Sequence, residues 1–301
     1  MRRRGGWIPL VSGLLALVVA GCRPPPLPAL DMVGTRLAID DPRAANVLTA
    51  YLDEVAARPA LRGYARVLLE GPDFKLNRPQ RILAERPARL RFEVMGLFDQ
   101  LAALLVTDGR RFGFYDAGSR ETSRGLVSPT LLWDLAKIDL DPHEVVGLLL
   151  GAPAPSPGIA RADVWLEPQG RLAIAFAWSA GEVASTCADE PLRARLFVAE
   201  CFVARAELEQ GGEVFFFDPE GRLSEMRALD PDGVLRFRAV FEDYSPLVDG
   251  DAGSSFPHRV TIRSPEVDSE ARFVWKRVML TEGLSDRFFT LPGRTVSNRN
   301  H

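Results

Sequence analysis

Alternation of apolar and polar residues dominates this chain. In "RLRFEVM", Leu90, Phe92 and Val94 alternate with Arg89, Arg91 and Glu93, which gives a strand one apolar and one wet face. "LAALLVT" follows, Asp108-Gly109 is a hairpin signal, and "RRFGFYD" returns, so Leu90 to Tyr115 reads as an antiparallel meander. Upstream, "YARVLLE" (Tyr64 to Glu70) and "QRILAER" (Gln80 to Arg86) are further strands. Downstream come "RADVWLE", "RLAIAFAW", "EVFFFD", "LSEMRAL", "VLRFRAVFEDY", "HRVTIR" and "ARFVWKRVML", separated by the turn signals "EPQG", "DPEG", "DPDG" and "SPE".

Three segments shift to helical spacing. Asp41 can cap a helix that begins at Pro42, and Leu48, Tyr51, Leu52 and Val55 then recur on one stripe. Ser128 is placed to cap "PTLLWDLAKI". Asp141 precedes "PHEVVGLLLG", with Pro142 at the first helical position and Glu144 at the third, a capping-box pattern that Gly151 and Pro153 end. No solenoid-type repeat occurs. Antiparallel strands in this number curl rather than stay flat. The expected fold is α+β: one curled antiparallel half-barrel of about ten strands, with helices covering its concave face.

The N-terminus changes the picture from fold to compartment. Arg2, Arg3 and Arg4 precede an apolar run from Trp7 to Ala20, too short to span a bilayer, which ends in "VAGC". Those four letters resemble a bacterial lipobox. The expected organisation is a lipoprotein signal peptide over 1–21, acylation of Cys22, a stiff proline-rich linker over 22–40, a folded domain over 41–293 and a loose tail over 294–301. The formal net charge is −3, and loss of the leader arginines makes the rest more acidic. No basic block follows, which excludes a nucleic-acid partner. Cys187 and Cys201 remain as a pair. An oxidising compartment points to a disulfide between them, the alternative being two unpaired buried thiols.

Chemistry is sparse. The chain has no G-x-S-x-G elbow, P-loop, G-x-G-x-x-G or H-E-x-x-H motif. Of its three histidines, His143, His258 and His301, none has a second ligand at metal spacing. His143 beside Glu144 could form an acid–base pair, but capping explains Glu144 more simply. A hydrolase site assembled from distant residues stays open; neither enzyme activity nor a cofactor is expected. Instead "VVGLLLGAP", "LLVTDG" and "VFFFDP" hold more large apolar side chains than alternation requires. They make either a dense core or the wall of an acyl-chain cavity. "EVMGLFDQLAAL" places Leu97 and Phe98 between Gly96 and Asp99, at the tip of a hairpin. Either they fold back as a plug or at least one projects into solvent.

From about Arg62 to Pro155 this order of segments resembles the LolB family of outer-membrane lipoprotein receptors, which share a half-barrel with the LolA carriers. "RLRFEVMGLFDQLAALLVTDGRRFGFYD" is similar to that family's third and fourth strands with their joining loop, and "SPTLLWDLAKIDLDPHEVVGLLLGAPAP" to its two helices. The second half fits only as further strands, and 180–212, with the cysteine pair, reads as an insertion. The resemblance implies a lipid-anchored protein of the outer membrane that faces the periplasm. It would take the acyl chains of lipoproteins from a LolA-like periplasmic carrier and pass them to the bilayer. Arg23 is not the aspartate that retains some lipoproteins at the inner membrane. The implied membrane-entering residues are Leu97 and Phe98, and the candidate cavity residues are Leu90, Phe92, Val94, Leu148 and Leu149. The alternative is an envelope scaffold with a filled core and no lipid cargo.

Overall fold

The computed structural model describes residues 34–38, 41–156, 159–179, 208–230, 233–247 and 255–291. The expected leader, Cys22, most of the linker, the Cys187 and Cys201 pair and the tail lie outside the described residues. The chain runs β1 (Thr35–Arg36), α1 (Pro42–Ala57), β2 (Ala60–Gly71), β3 (Phe74–Glu85), β4 (Arg89–Met95), β5 (Leu101–Thr107), β6 (Arg111–Asp116), β7 (Glu121–Leu126), α2 (Leu131–Ala136) and α3 (Pro142–Leu149). It continues through β8 (Ile159–Leu166), β9 (Leu172–Ser179), β10 (Leu208–Phe217), β11 (Leu223–Leu229), β12 (Leu235–Pro246), β13 (Ser255–Ser264) and β14 (Ser269–Thr281).

All the strands join one antiparallel sheet in the order β1-β8-β9-β10-β11-β12-β13-β14-β2-β3-β4-β5-β6-β7. β1 and β7 are its two edges, so the sheet does not close. Among the described residues there are fourteen strands rather than about ten. β1 is too short to show a pattern, and β7, "ETSRGL", is exposed along its whole length and has no apolar face to alternate. The register joins the first long strand to the last, with Leu61 opposite Leu280 and Leu69 opposite Ala271.

Local chemistry fixes two of the helices. The Asp41 side chain accepts from Arg43 N at 2.9 Å, with Pro42 opening α1. Asp141 accepts from Glu144 N at 2.8 Å while Glu144 accepts from Asp141 N at 3.0 Å, the full capping box. The expected Ser128 cap is not formed. α2 starts three residues later, Thr130 occupies the cap position without a side-chain cap bond, and the Thr130 hydroxyl donates instead to Asp134 at 3.1 Å.

The helices cover the face that carries the core. Leu48 and Tyr51 of α1 are buried, with the Tyr51 ring edge-on to Phe215 and Phe217 at 5.7 and 5.2 Å. Its hydroxyl donates to Pro153 O at 2.5 Å. Arg58, just beyond α1, is 2% exposed and donates to Leu150 O and Gly151 O, both at 3.2 Å, and to Ser255 O at 2.6 Å. Glu54 pairs with it at 2.5 Å. A buried guanidinium thus satisfies carbonyls at the end of α3 that no intrahelical donor reaches. On the opposite face Trp165, Val214 and Phe216 form a smaller cluster. Arg171 and Arg227 lie over the Phe216 ring at 4.1 and 4.6 Å.

Candidate functional site

An apolar cavity lies between α2 and the covered face of β2 to β6. Cross-strand register builds its wall. Phe92 pairs with Leu105, which pairs with Phe114, and Val94 pairs with Ala103. Val67 and Leu69 of β2, Phe74 and Leu76 of β3, and Leu135 and Ile138 from α2 and its exit complete an enclosure of about 300 Å³. Its polar lining comes from Gln80, which is buried, and from Lys75 and Lys137, both exposed. α2 is under two turns long, and Lys137 ends it in the left-handed region at φ 56°. This volume is at the small end of the roughly 300–1,000 Å³ of ligand pockets.

The candidate cavity residues separate. Phe92 and Val94 line this cavity. Leu90, on the same strand and face, is fully buried in packed core beside it, and so is Leu149 of α3. Leu148 lines a different cavity of about 330 Å³ with Arg86, His143, Glu144, Ser156 and Glu213. There the Glu213 carboxylate accepts from Ser156 N at 3.0 Å and Ser156 Oγ at 2.5 Å. Burial pushes its pKa up, and the two hydrogen bonds only partly oppose this. Burial likewise lowers the pKa of Arg86. Glu144, the cap of α3, also forms an ion pair with Arg236. Phe74, Leu135 and Ile138 are not recognisable as cavity residues from sequence, because only β3 pairing and the short α2 bring them to the wall. Val67 and Leu69 lie two apart on β2, which the sequence marked only as a strand.

The wall formed by β4 and β5 ends in the hairpin tip. A register shift falls between Val94 and Met95, and Met95 is 2% exposed. Beyond it Gly96 N donates to Gln100 O at 2.7 Å and Phe98 N to Gln100 Oε1 at 2.8 Å. The Gln100 side chain folds across Gly96 so closely that a Cβ there would lie 2.5 Å from its amide nitrogen. The polar residues therefore make the turn's internal hydrogen bonds, and Leu97 and Phe98 are left 77% and 89% exposed. Asp99 is tied back to Arg81 at 3.3 Å. Among the described residues no group of three or more His, Cys, Asp and Glu could hold a metal, and no helix is long and apolar enough to cross a membrane.

No family model matches the chain, and no curated protein matches its sequence. Solved structures with a similar fold include a LolA superfamily protein from Nitrosomonas europaea, at 12% identity and a TM-score of 0.47, covering 81% of this chain and 97% of that one. Another is a DUF1329 family protein from Desulfovibrio piger, at 12% identity and a TM-score of 0.46, covering 82% and 96%. At TM-scores this low, neither likeness establishes a family or a function for this chain.

Proposed function

We propose that this protein is a non-catalytic, lipid-anchored component of the outer membrane, facing the periplasm, that binds acyl chains of lipoproteins and helps insert them into the bilayer. The observation that carries the reading is a juxtaposition. An apolar cavity walled by Phe92, Val94, Ala103 and Leu105 sits directly behind a hairpin tip that exposes Leu97 and Phe98. Such a cavity holds an acyl segment at about 0.8 kcal/mol per buried CH₂. Burying each tip side chain in a bilayer gains about 1.5–3 kcal/mol, enough to dock a protein already held by its own lipid at Cys22. Cargo then moves from one apolar sink to a larger one, with no bond made or broken, and a LolA-like carrier delivers it. The sequence resemblance over Arg62 to Pro155 supports the same reading.

A specific observation also favours the scaffold alternative. The part of the sheet under α1 is filled, with the Tyr51 ring packed edge-on against both Phe215 and Phe217. Native mass spectrometry of the Cys22→Ala chain, exported to the periplasm, separates the two. The acyl-binding reading expects a co-purifying lipid or lipoprotein. A chain that stays ligand-free after incubation with a long-chain lipid would leave the scaffold reading.

A further inference from the structure

The face of the sheet opposite the cavity holds a cleft of about 640 Å³ across β14, β2 and β3, whose charged lining is Arg62, Arg81, Lys276, Arg277 and Asp99. A β-bulge builds it. Trp275 pairs with Ala65, but Arg277 pairs with the next residue, Tyr64, so Lys276 is the extra residue. Trp275 and Val278 both point into the core, and the two residues between them, Lys276 and Arg277, both turn outward and are exposed. Gly63 makes room for this. A Cβ at that position would lie 2.7 Å from Arg277 O and 2.6 Å from the Trp275 ring. Arg81 is tied to Asp99 at 3.3 Å and to Glu93 at 3.8 Å. Among the described residues the side chains of Arg62, Lys276 and Arg277 form no ion pair or hydrogen bond. Three unpaired cations therefore face one cleft whose lining holds a single carboxylate, itself already paired. That carboxylate, Asp99, is the residue after Phe98, so the cleft runs up to the exposed apolar tip.

We propose that this cleft binds the phosphate head groups of an anionic phospholipid bilayer, docking the outer face of β14, β2 and β3 on the membrane while Leu97 and Phe98 enter its acyl layer. Charge complementarity and continuity with the tip select a lipid surface over a soluble anion, since one surface offers both chemistries at adjacent depths. The inference rests on the membrane-entering role proposed above for the tip, and what it adds is a preference for anionic lipid. The test is flotation of the Cys22→Ala chain with phosphatidylcholine vesicles and with equimolar phosphatidylcholine and phosphatidylglycerol vesicles. Binding to the anionic vesicles is expected to be about a hundredfold tighter, as three cations near a charged surface supply, and to lose this advantage in high salt. An Arg62→Gln, Lys276→Gln, Arg277→Gln triple variant should bind both vesicles equally, with an unchanged melting temperature because no paired group is lost. Equal affinity of the parent chain for both vesicles would overturn the proposal. So would a triple variant that keeps the preference. Leu97→Glu with Phe98→Glu serves as the separate control. It should abolish binding to neutral vesicles, and retention there would sink the tip reading while leaving the anionic preference to be judged by the triple variant.

Discussion

Two buried glutamates end with opposite net pKa shifts, and the difference lies in their partners. Glu225 is 3% exposed. Burial raises its pKa, but hydrogen bonds from Arg238 and Arg227 outweigh that and leave it below the ordinary value. Glu213, 6% exposed, has only Ser156, and burial wins. The sign follows from linkage. A carboxyl whose folded pKa lies above its unfolded value of 4.5 binds its proton more tightly in the folded state, so its ionisation costs stability as pH rises through and above that value. Glu213→Gln removes this dependence. The stability of the parent chain relative to Glu213→Gln should therefore fall as pH rises from 4.5 towards neutrality, followed by urea midpoints at several pH values. A difference independent of pH would show that Glu213 stays ionised in the fold. Nothing in the sequence marks Glu213, because its burial depends on Ser156, far away along the chain. Leu97 and Phe98 were conspicuous from their neighbours alone, but their direction was not. It is set by Gln100, which takes the turn's hydrogen bonds and leaves the apolar pair no inward path.

Elements whose signals are local were legible, and those set by pairing were not. The capping box of Asp141 and Glu144 lies within four residues, and the structure forms it as the sequence implies. Ser128 has an equally good helix-start residue two positions on, and that competition moved the start of α2. β7 carries no alternation, and the bulge at Lys276 needs β2 as its partner. A trace of the bulge was present in "ARFVWKRVML", where the apolar spacing of two from Phe273 to Trp275 becomes three to Val278. Strand β4 shows the same limit. Leu90, Phe92 and Val94 share a face, yet only register decides that Leu90 meets packed core while Val94 meets space. Val94→Trp should accordingly fill the cavity, abolish lipid binding and leave the melting temperature nearly unchanged. Leu90→Trp should overpack a closed site at a cost of about 1–3 kcal/mol, read as a fall of several degrees. Equal destabilisation by both would mean that the cavity beside Val94 does not accept a larger side chain.

At the scale of the whole molecule, β14 and β2 join a half of the sheet with an aromatic core to the half that holds the apolar cavity. On one side α1 and the aromatic residues of β10 pack closely, and the space beside α3 is the cavity lined by Glu213 and Ser156. On the other, α2 closes the cavity, without a side-chain N-cap and with an exposed lysine at its C-terminal end, while α3 packs against β3 and β4 beside it. Short, weakly capped elements with few buried contacts open at lower free energy than the core they cover. Ligand that binds only the folded site stabilises the elements that enclose it. Hydrogen exchange on the chain with and without a saturating long-chain lipid should therefore show protection gained in α2 and in β4 to β6, with little change in β10 to β13. Uniform protection across the sheet would indicate global stabilisation without a localised site. Protection confined to β10 and α3 would place the ligand in the cavity of Glu213 and Ser156 instead, and the assignment of Phe92 and Val94 as acyl-binding residues would be wrong.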